Sequence, residues 1–151
     1  MIRIGLFLVL CLWTLAAGAQ DFRCETREGR VMRLSELPQD RLTLLVFYDP
    51  DCTGCRQELF GMKHSGMLRQ AVREGRVQVM AVYAEADEAL WRETCQELPD
   101  TWTVAIARDD IHAMKCYDLS GMPAIYILNR YKEVVLADAD LYQLADLLKK
   151  Q

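Results

Sequence analysis

The chain of 151 residues is 52% hydrophobic, a length and composition that suit a single domain with its own apolar core. Its formal net charge of −4 argues against a nucleic-acid partner, because proteins that bind nucleic acids present basic surfaces. No linker, repeat or low-complexity tract interrupts the chain, and we expect a monomer.

The first nineteen residues have the pattern of a secretory signal peptide. Arg3 precedes an apolar run over 4–16, and small residues follow up to Ala19. This run is shorter than the roughly 20 residues that a membrane-spanning helix needs. We therefore predict a signal peptide over 1–19 with cleavage near Ala19, one mature domain over 20–151, and a periplasmic or secreted location. If the segment stays attached, it would tether the protein to the membrane.

Extended segments follow the predicted cleavage site. Residues 22–24 and 31–34 flank a turn at Gly29 and predict a small β-hairpin. Residues 42–48 are nearly all apolar, as in a strand that is buried on both faces. This pattern predicts a central strand with helices on either side.

Two cysteines separated by two residues come soon after this strand, where a helical pattern begins. A CxxC pair at a strand-to-helix turn is typical of a dithiol–disulfide redox centre. A helix N-terminus stabilises a thiolate, which is the form that attacks disulfides. Cys52 is therefore the predicted nucleophile, and Cys55, one turn later on the same face, closes the disulfide. Because the two sulfurs are themselves the redox centre, neither a cofactor nor a metal ion is expected.

The rest of the chain alternates strands and helices. Helical patterns cover 56–63, 67–73, 86–98, 110–117 and 141–148, and strand patterns cover 77–83, 101–107, 124–128 and 134–137. In the first of these helices we expect Leu59, Phe60 and Met62 to point inwards. The order of elements predicts an α/β fold, a three-layer sandwich with a mixed sheet.

Four sequence segments carry a family resemblance: LLVFYDPDCTGCRQE, GRVQVMAVYAE, LWRETCQELPDTWTVAIARDD and YDLSGMPAIYILNRYKEVV. Together they resemble the thioredoxin-like family, and within it the TlpA-type extracytoplasmic thiol–disulfide oxidoreductases and the single-domain thioredoxin-like proteins of Bacteroidota. The resemblance extends over residues 22–149. It implies a thioredoxin-like three-layer α/β/α sandwich with a mixed sheet, an N-terminal β-hairpin and an inserted helix–strand element.

The resemblance implies roles for several residues around the CxxC pair. Met122-Pro123 is expected to be a cis peptide bond facing the two cysteines, with the backbone of Met122 placed to pair with a substrate segment. Glu58, three residues after Cys55, matches an acid of the TlpA-type branch and would exchange a proton with that cysteine. A solvated helix acid is the alternative. Tyr48, by its place at the end of the strand, is expected to line the same site and contact substrate.

The sequence departs from the family pattern just before the first cysteine. Asp51 stands where thioredoxins commonly have Trp, and Asp49 is close by. Carboxylates beside a thiol disfavour its thiolate and raise its pKa, which stabilises the disulfide relative to the dithiolate. The hypothesis is therefore a reducing protein, whose potential is tuned by these two acids together with Pro50, Thr53 and Gly54. If the acids are only solvated, their effect is small.

The remaining cysteines and the two histidines leave alternatives open. Cys95 and Cys116 would form a second disulfide if their helices pack together, or would remain buried thiols. Cys24 is predicted to be an edge-strand residue, with an intermolecular thiol or a redox relay as alternatives. His64 and His112 lack a ligand-like spacing to the CxxC pair, so a Cys/His metal site is not favoured.

The leading functional prediction is an extracytoplasmic thiol–disulfide oxidoreductase that reduces protein or small-molecule disulfides. Its electrons would come from a membrane-bound or periplasmic thiol protein, since the periplasm has no small-thiol buffer. The alternatives are a copper- or haem-delivery thiol chaperone on the same fold, and a thiol peroxidase. A copper carrier would favour a histidine near Pro123, and a peroxidase would favour a Thr or Ser at a fixed offset before a lone cysteine. The sequence shows neither.

Overall fold

The computed structural model describes residues 20–151, and the predicted signal peptide lies outside these residues. The strands are β1 (Arg23–Thr26), β2 (Val31–Arg33), β3 (Leu42–Tyr48), β4 (Val77–Tyr83), β5 (Thr103–Ala107), β6 (Ala124–Leu128) and β7 (Val134–Ala137). The α-helices are α1 (Thr53–His64), α2 (Gly66–Arg73), α3 (Glu88–Thr94) and α4 (Leu141–Lys149). The strands form one mixed sheet in the order β2-β1-β5-β4-β3-β6-β7. None of the helices in this part of the chain has the length and hydropathy to cross a bilayer.

Strand β3 is the centre of the sheet. All seven of its residues are buried, which confirms the prediction of a strand covered on both faces. It pairs in parallel with β4 along its whole length and antiparallel with β6, so that Phe47 lies opposite Ala124. This register brings the start of β6 beside the end of β3, and therefore beside the segment that follows β3.

The N-terminal hairpin is part of the sheet. Strands β1 and β2 are antiparallel, and Gly29 in the turn between them has a φ of +84°, a conformation that glycine adopts without strain. On its other side β1 pairs with β5, so it has a neighbour on both edges. Cys24 therefore lies fully buried in an interior strand, and the prediction of an edge-strand residue is wrong.

The apolar core forms two clusters, one on each face of the sheet. On the first face, strand residues such as Val46 pack against buried side chains from all four α-helices, among them Leu59 and Leu144. On the second face, Phe47 packs among residues of the N-terminal segment and of the stretch 111–119. The predicted α/β fold with a mixed sheet is confirmed.

The helix predicted over 110–117 is much shorter in the structure. Asp110 caps it, but only a 3₁₀ turn over Ile111–Ala113 follows, and Met114 is already extended. Beyond it, Tyr117 and Leu119 are buried with an exposed residue between them. Alternate burial is the pattern of extended chain, because successive side chains of such a chain point in opposite directions.

The inward-facing residues of α1 are Leu59 and Met62, whereas Phe60 is 65% exposed. Leu59 and Met62 follow Cys55 at helical spacing and share its face, while Phe60 lies about 100° further round the helix than Leu59. The prediction for Phe60 is therefore wrong. The predicted break after α1 is confirmed, since Ser65 ends α1 and caps α2.

Candidate active site

Cys52 lies between the end of β3 and the start of α1. It is the N-cap residue of α1 and has an extended backbone, with φ −84° and ψ 118°. Its sulfur accepts a hydrogen bond from the backbone N–H of Cys55 at 3.2 Å. In most helices a side-chain oxygen accepts this bond. Here a sulfur occupies the position where unpaired N–H groups and the helix dipole favour negative charge.

The two cysteines differ in accessibility. Cys55 is fully buried in the first turn of α1, and its sulfur accepts a hydrogen bond from the backbone N–H of Asp49 at 3.5 Å. Cys52 is half-buried, and both cysteines are thiols in the structure. The first sulfur can therefore meet a partner molecule, while the second can be reached only through the first.

The Met122–Pro123 peptide bond is cis. It directly precedes β6, whose first residue is held beside the end of β3 by the register described above. The carbonyl oxygen of Met122 consequently lies 3.9 Å from the sulfur of Cys52. The preceding Gly121 is exposed, so a stretch of backbone reaches the surface next to the predicted nucleophile.

The surroundings move the pKa values of the two thiols in opposite directions. The pKa of Cys52 is below its ordinary value, first because the thiol of Cys55 donates a hydrogen bond to it and next because the backbone N–H of Cys55 does so. Burial raises the pKa of Cys55 to about 12, and the hydrogen bond to Cys52 adds to this rise. Between these two values the pair carries a single thiolate, on the accessible sulfur.

Asp49 and Asp51 affect the pair less than the sequence suggested. The charge of Asp49 raises the pKa of both cysteines, but for Cys52 the hydrogen bonds from Cys55 outweigh it. Asp51 is exposed, and its backbone N–H donates to the carboxylate of Asp49 at 2.9 Å. The predicted direction holds for Asp49, whose charge raises the pKa of Cys52, but direct hydrogen bonds to the thiolate exceed this effect, so the net pKa of Cys52 is below its ordinary value.

Glu58 lies on the exposed side of α1, whereas Cys55 lies on the buried side. Within residues 20–151 the carboxylate of Glu58 forms neither a hydrogen bond nor an ion pair. The structure does not join it to Cys55, and it matches the alternative of a solvated helix acid.

Tyr48 lines the site from the inside and is too buried to contact a substrate at the surface. Its side chain is only 3% exposed, and burial raises the pKa of its hydroxyl. Together with Pro50, Asp51 and Arg56 it lines a cavity of about 180 Å³ beside the CxxC pair. Arg56, the basic residue directly after the second cysteine, was not among the residues predicted from the sequence.

The remaining residues predicted to tune the potential sit around the first turn of α1. Pro50 is buried, and Thr53 and Gly54 are exposed. A Cβ atom at Gly54 would lie 3.9 Å from the sulfur of Cys52 and from the carbonyl oxygen of Met122, which is ordinary van der Waals distance. The turn therefore has room for a small side chain at this position.

The other cysteines and the histidines are not part of this site. Cys95 belongs to the core cluster on the helix-covered face, and Cys116 packs against the cluster on the opposite face. The sheet separates them, so the alternative of a second disulfide is wrong. His64 and His112 contact other side chains. In the part of the chain that the structure describes, no group of three or more His, Cys, Asp or Glu side chains is placed to hold a metal ion.

Comparison with protein families gives one decisive match. The model of the AhpC/TSA family matches residues 15–137, most of the chain. The chain belongs to the AhpC/TSA family. A search of curated proteins found no match to this chain.

Solved structures place the chain among thioredoxin-like proteins. A conserved protein of unknown function from Bacteroides fragilis is 32% identical, with a TM-score of 0.77 over 85% of this chain and 93% of that one. A thioredoxin-like protein from Bacteroides caccae is 26% identical, with a TM-score of 0.77 over 87% of this chain and 47% of that one. A putative thiol:disulfide interchange protein DsbE from Chlorobium tepidum shares the fold at 24% identity, with a TM-score of 0.66 over 85% and 93% of the two chains. The predicted resemblance to thioredoxin-like proteins of this group is confirmed.

Proposed function

We propose that this protein is an extracytoplasmic thiol–disulfide oxidoreductase that reduces disulfides in protein substrates. The observation that carries the proposal is the pairing of an accessible, activated Cys52 with a buried Cys55 whose pKa is about 12. The fold shared with a protein described as a thiol:disulfide interchange protein supports this activity. The signal-peptide pattern at the N-terminus supports the location.

The reaction transfers two electrons to the substrate. The thiolate of Cys52 attacks one sulfur of a substrate disulfide, and the other substrate sulfur leaves as a thiolate and takes up a proton. Cys55 then loses its proton and attacks the sulfur of Cys52 in this mixed disulfide, which releases the second substrate thiolate. The protein ends with a Cys52–Cys55 disulfide. A dithiol protein acting as electron donor restores the pair by the reverse exchange.

The geometry assigns a part to each neighbouring group. Cys55 keeps its proton until the mixed disulfide forms, because burial disfavours its thiolate. It meanwhile lowers the pKa of Cys52 by donating hydrogen bonds to it. The backbone of exposed Gly121 and half-buried Met122 lies beside the reacting sulfur and can pair with an extended substrate segment. Pro123 has no N–H, so at this peptide bond the carbonyl of Met122 is the backbone polar group that lies near the sulfur of Cys52.

A thiol peroxidase is the second candidate. The match to the AhpC/TSA family and the lowered pKa of Cys52 both favour it, because a thiolate also attacks peroxides. In that reaction Cys52 becomes a sulfenic acid and Cys55 condenses with it to form the same disulfide. Consumption of hydrogen peroxide by the reduced protein, measured beside insulin reduction, distinguishes the two functions.

Trapping of the mixed disulfide tests the leading proposal. The Cys55→Ser variant, added in its reduced form to insulin with intact disulfides, should accumulate a covalent complex with insulin. The Cys52→Ser variant should form no such complex. Cys95→Ala is the matched control and should retain wild-type reduction of insulin, since Cys95 lies in the core outside the site. If the wild type consumes peroxide but reduces no disulfide, the peroxidase function replaces the proposed one.

A further inference from the structure

A groove leads away from the CxxC pair along α1 towards α2. It consists of three adjoining cavities of about 180, 240 and 320 Å³. The first begins beside the site, at Pro50 and Asp51. Arg56 and Leu59 line both the first cavity and the second, and Lys63 lines both the second and the third. We term these three cavities the α1 groove.

The α1 groove has an apolar base. One wall is formed by α1 and α2, and the other by residues 94–102, which begin at the last residue of α3. Leu98 lies at the base of the first two cavities, and buried Leu68 and Trp102 line the third. Phe60 stands on the wall of the middle cavity with 65% of its surface exposed. An exposed aromatic ring beside an apolar groove is characteristic of a surface that binds another molecule.

The helical wall of the groove is basic, although the whole chain is net negative. Four basic side chains line it: Arg56, Lys63, Arg69 and Arg73. Glu58 is the one acid in α1 and α2. Among the described residues, neither the guanidinium of Arg69 nor that of Arg73 forms an ion pair or hydrogen bond, and no acid lines the third cavity. The far part of the groove therefore presents positive charge above an apolar base, with no counter-charge from residues 20–151.

We propose that the α1 groove binds the substrate polypeptide as an extended segment next to its reactive disulfide, with acidic and apolar residues over Arg69 and Arg73. This inference rests on the proposed function and adds the substrate class. It is supported by charge complementarity and by the continuity of the groove with the site. Lys63 donates to the carbonyl of Glu97 across the groove at 2.9 Å, so a bound chain passes over this side chain.

The length of α1 sets the position of the acidic residues in the substrate. The helix has 12 residues and is about 18 Å long. An extended chain rises about 3.3 Å per residue. A segment whose cysteine sits at Cys52 therefore brings residues roughly five to six positions away to the α2 end of the groove.

Three peptide substrates of equal length test this spacing. Each peptide carries one central cysteine in a mixed disulfide with a chromogenic aromatic thiol. One has Glu-Leu-Glu clusters about six residues from the cysteine on both sides, the second has Lys in place of Glu, and the third has the Glu residues next to the cysteine. At low ionic strength the wild type should reduce the first peptide about tenfold more efficiently, in kcat/KM, than either of the others, and about 0.5 M salt should remove most of this preference.

Charge variants of α2 locate the effect in the groove. Arg69→Glu/Arg73→Glu should reverse the preference towards the Lys peptide, and Arg69→Gln/Arg73→Gln should abolish it without reversal. Arg130→Glu/Lys150→Glu changes two exposed basic residues outside the groove and should keep the wild-type preference. Reduction of a small aromatic disulfide should be equal in all of these proteins, which reports that the site is intact.

The outcomes separate this inference from the proposed function. Equal reduction of all three peptides by the wild type, or an unchanged preference in the Arg69 and Arg73 variants, overturns the groove proposal and leaves the oxidoreductase function in place. Failure of the wild type to reduce any peptide, with Cys52 still reactive towards an alkylating agent, overturns the proposed function itself.

Discussion

The backbone N–H of Cys55 lies 3.2 Å from the sulfur of Cys52, so the buried cysteine helps to activate the accessible one. The largest cause of the lowered pKa of Cys52 is the thiol of Cys55, acting as a hydrogen-bond donor to the Cys52 thiolate. In the same contact, the hydrogen bond to Cys52 adds to the raised pKa of Cys55. The hydrogen bonds from Cys55 to Cys52 therefore make Cys52 the attacking thiolate and keep Cys55 protonated.

The first prediction concerns this hydrogen bond. Cys55→Ala removes the thiol donor and keeps the backbone N–H, so the pKa of Cys52 should rise towards its ordinary value. One net hydrogen bond is worth about 1 kcal/mol, which corresponds to about 0.7 pH units. The rate of alkylation of Cys52 increases as pH rises through its pKa, so the midpoint of the rate profile should move to higher pH. An unchanged midpoint would show that the thiol of Cys55 does not contribute.

The second prediction concerns Asp49, whose charge raises the pKa of both cysteines. Asp49→Asn removes the charge and keeps an oxygen to accept the N–H of Asp51. Both thiolates should become more stable, which favours the reduced form, so the redox potential should become less negative by up to about 30 mV. A redox titration measures this shift. Asp51→Asn is the matched control and should shift the potential less, because Asp51 is exposed; an equal or larger shift would contradict this ordering.

The third prediction concerns Glu58. Its carboxylate is exposed and has no partner in residues 20–151, so Glu58→Gln should leave kcat/KM for insulin within about twofold of the wild type. The pH profile of the reaction should also be unchanged. A profile that loses one titrating group in the variant would instead support the proton exchange with Cys55 that the family resemblance implied.

The centre of the fold was predictable from the sequence because its signals are local and strong. The apolar run of β3, the CxxC pair after it and the strands β6 and β7 all appear at the predicted positions. The break between α1 and α2 was also visible, since Ser65 is a good N-cap residue. These features depend on residue type over short windows, which a single sequence records directly.

Features that depend on distances in the folded chain were predicted less well. The sign of the pKa shift of Cys52 is a balance between hydrogen bonds and the charge of Asp49, and the sequence shows the charge but not the hydrogen bonds. The exposure of Phe60 depends on a rotation of one residue around α1. The α1 groove was not foreseen, because its far wall at 94–102 comes from a distant part of the chain.

The last prediction concerns the buried hydroxyl of Tyr48. In the described part of the chain no group meets this hydroxyl in hydrogen-bond geometry, although the side chain is 3% exposed. The indole of Trp91, whose buried N–H also lacks a partner in that geometry, is near enough to lower the pKa of Tyr48. A buried polar group without a partner carries a desolvation cost that hydrogen bonding does not repay. Tyr48→Phe removes that group with little change in shape, so the free energy of unfolding should stay the same or rise by up to about 1 kcal/mol.

Tyr126→Phe is the matched control for this prediction. The hydroxyl of Tyr126 is also largely buried, but it accepts from the backbone N–H of Asp118 at 2.7 Å and donates to the carbonyl of Asp118 at 3.2 Å. Removing it leaves both backbone groups without this partner and should lower the free energy of unfolding by about 1–3 kcal/mol. Urea denaturation of both variants measures the difference. A comparable loss in Tyr48→Phe would mean that the Tyr48 hydroxyl does have a stabilising partner.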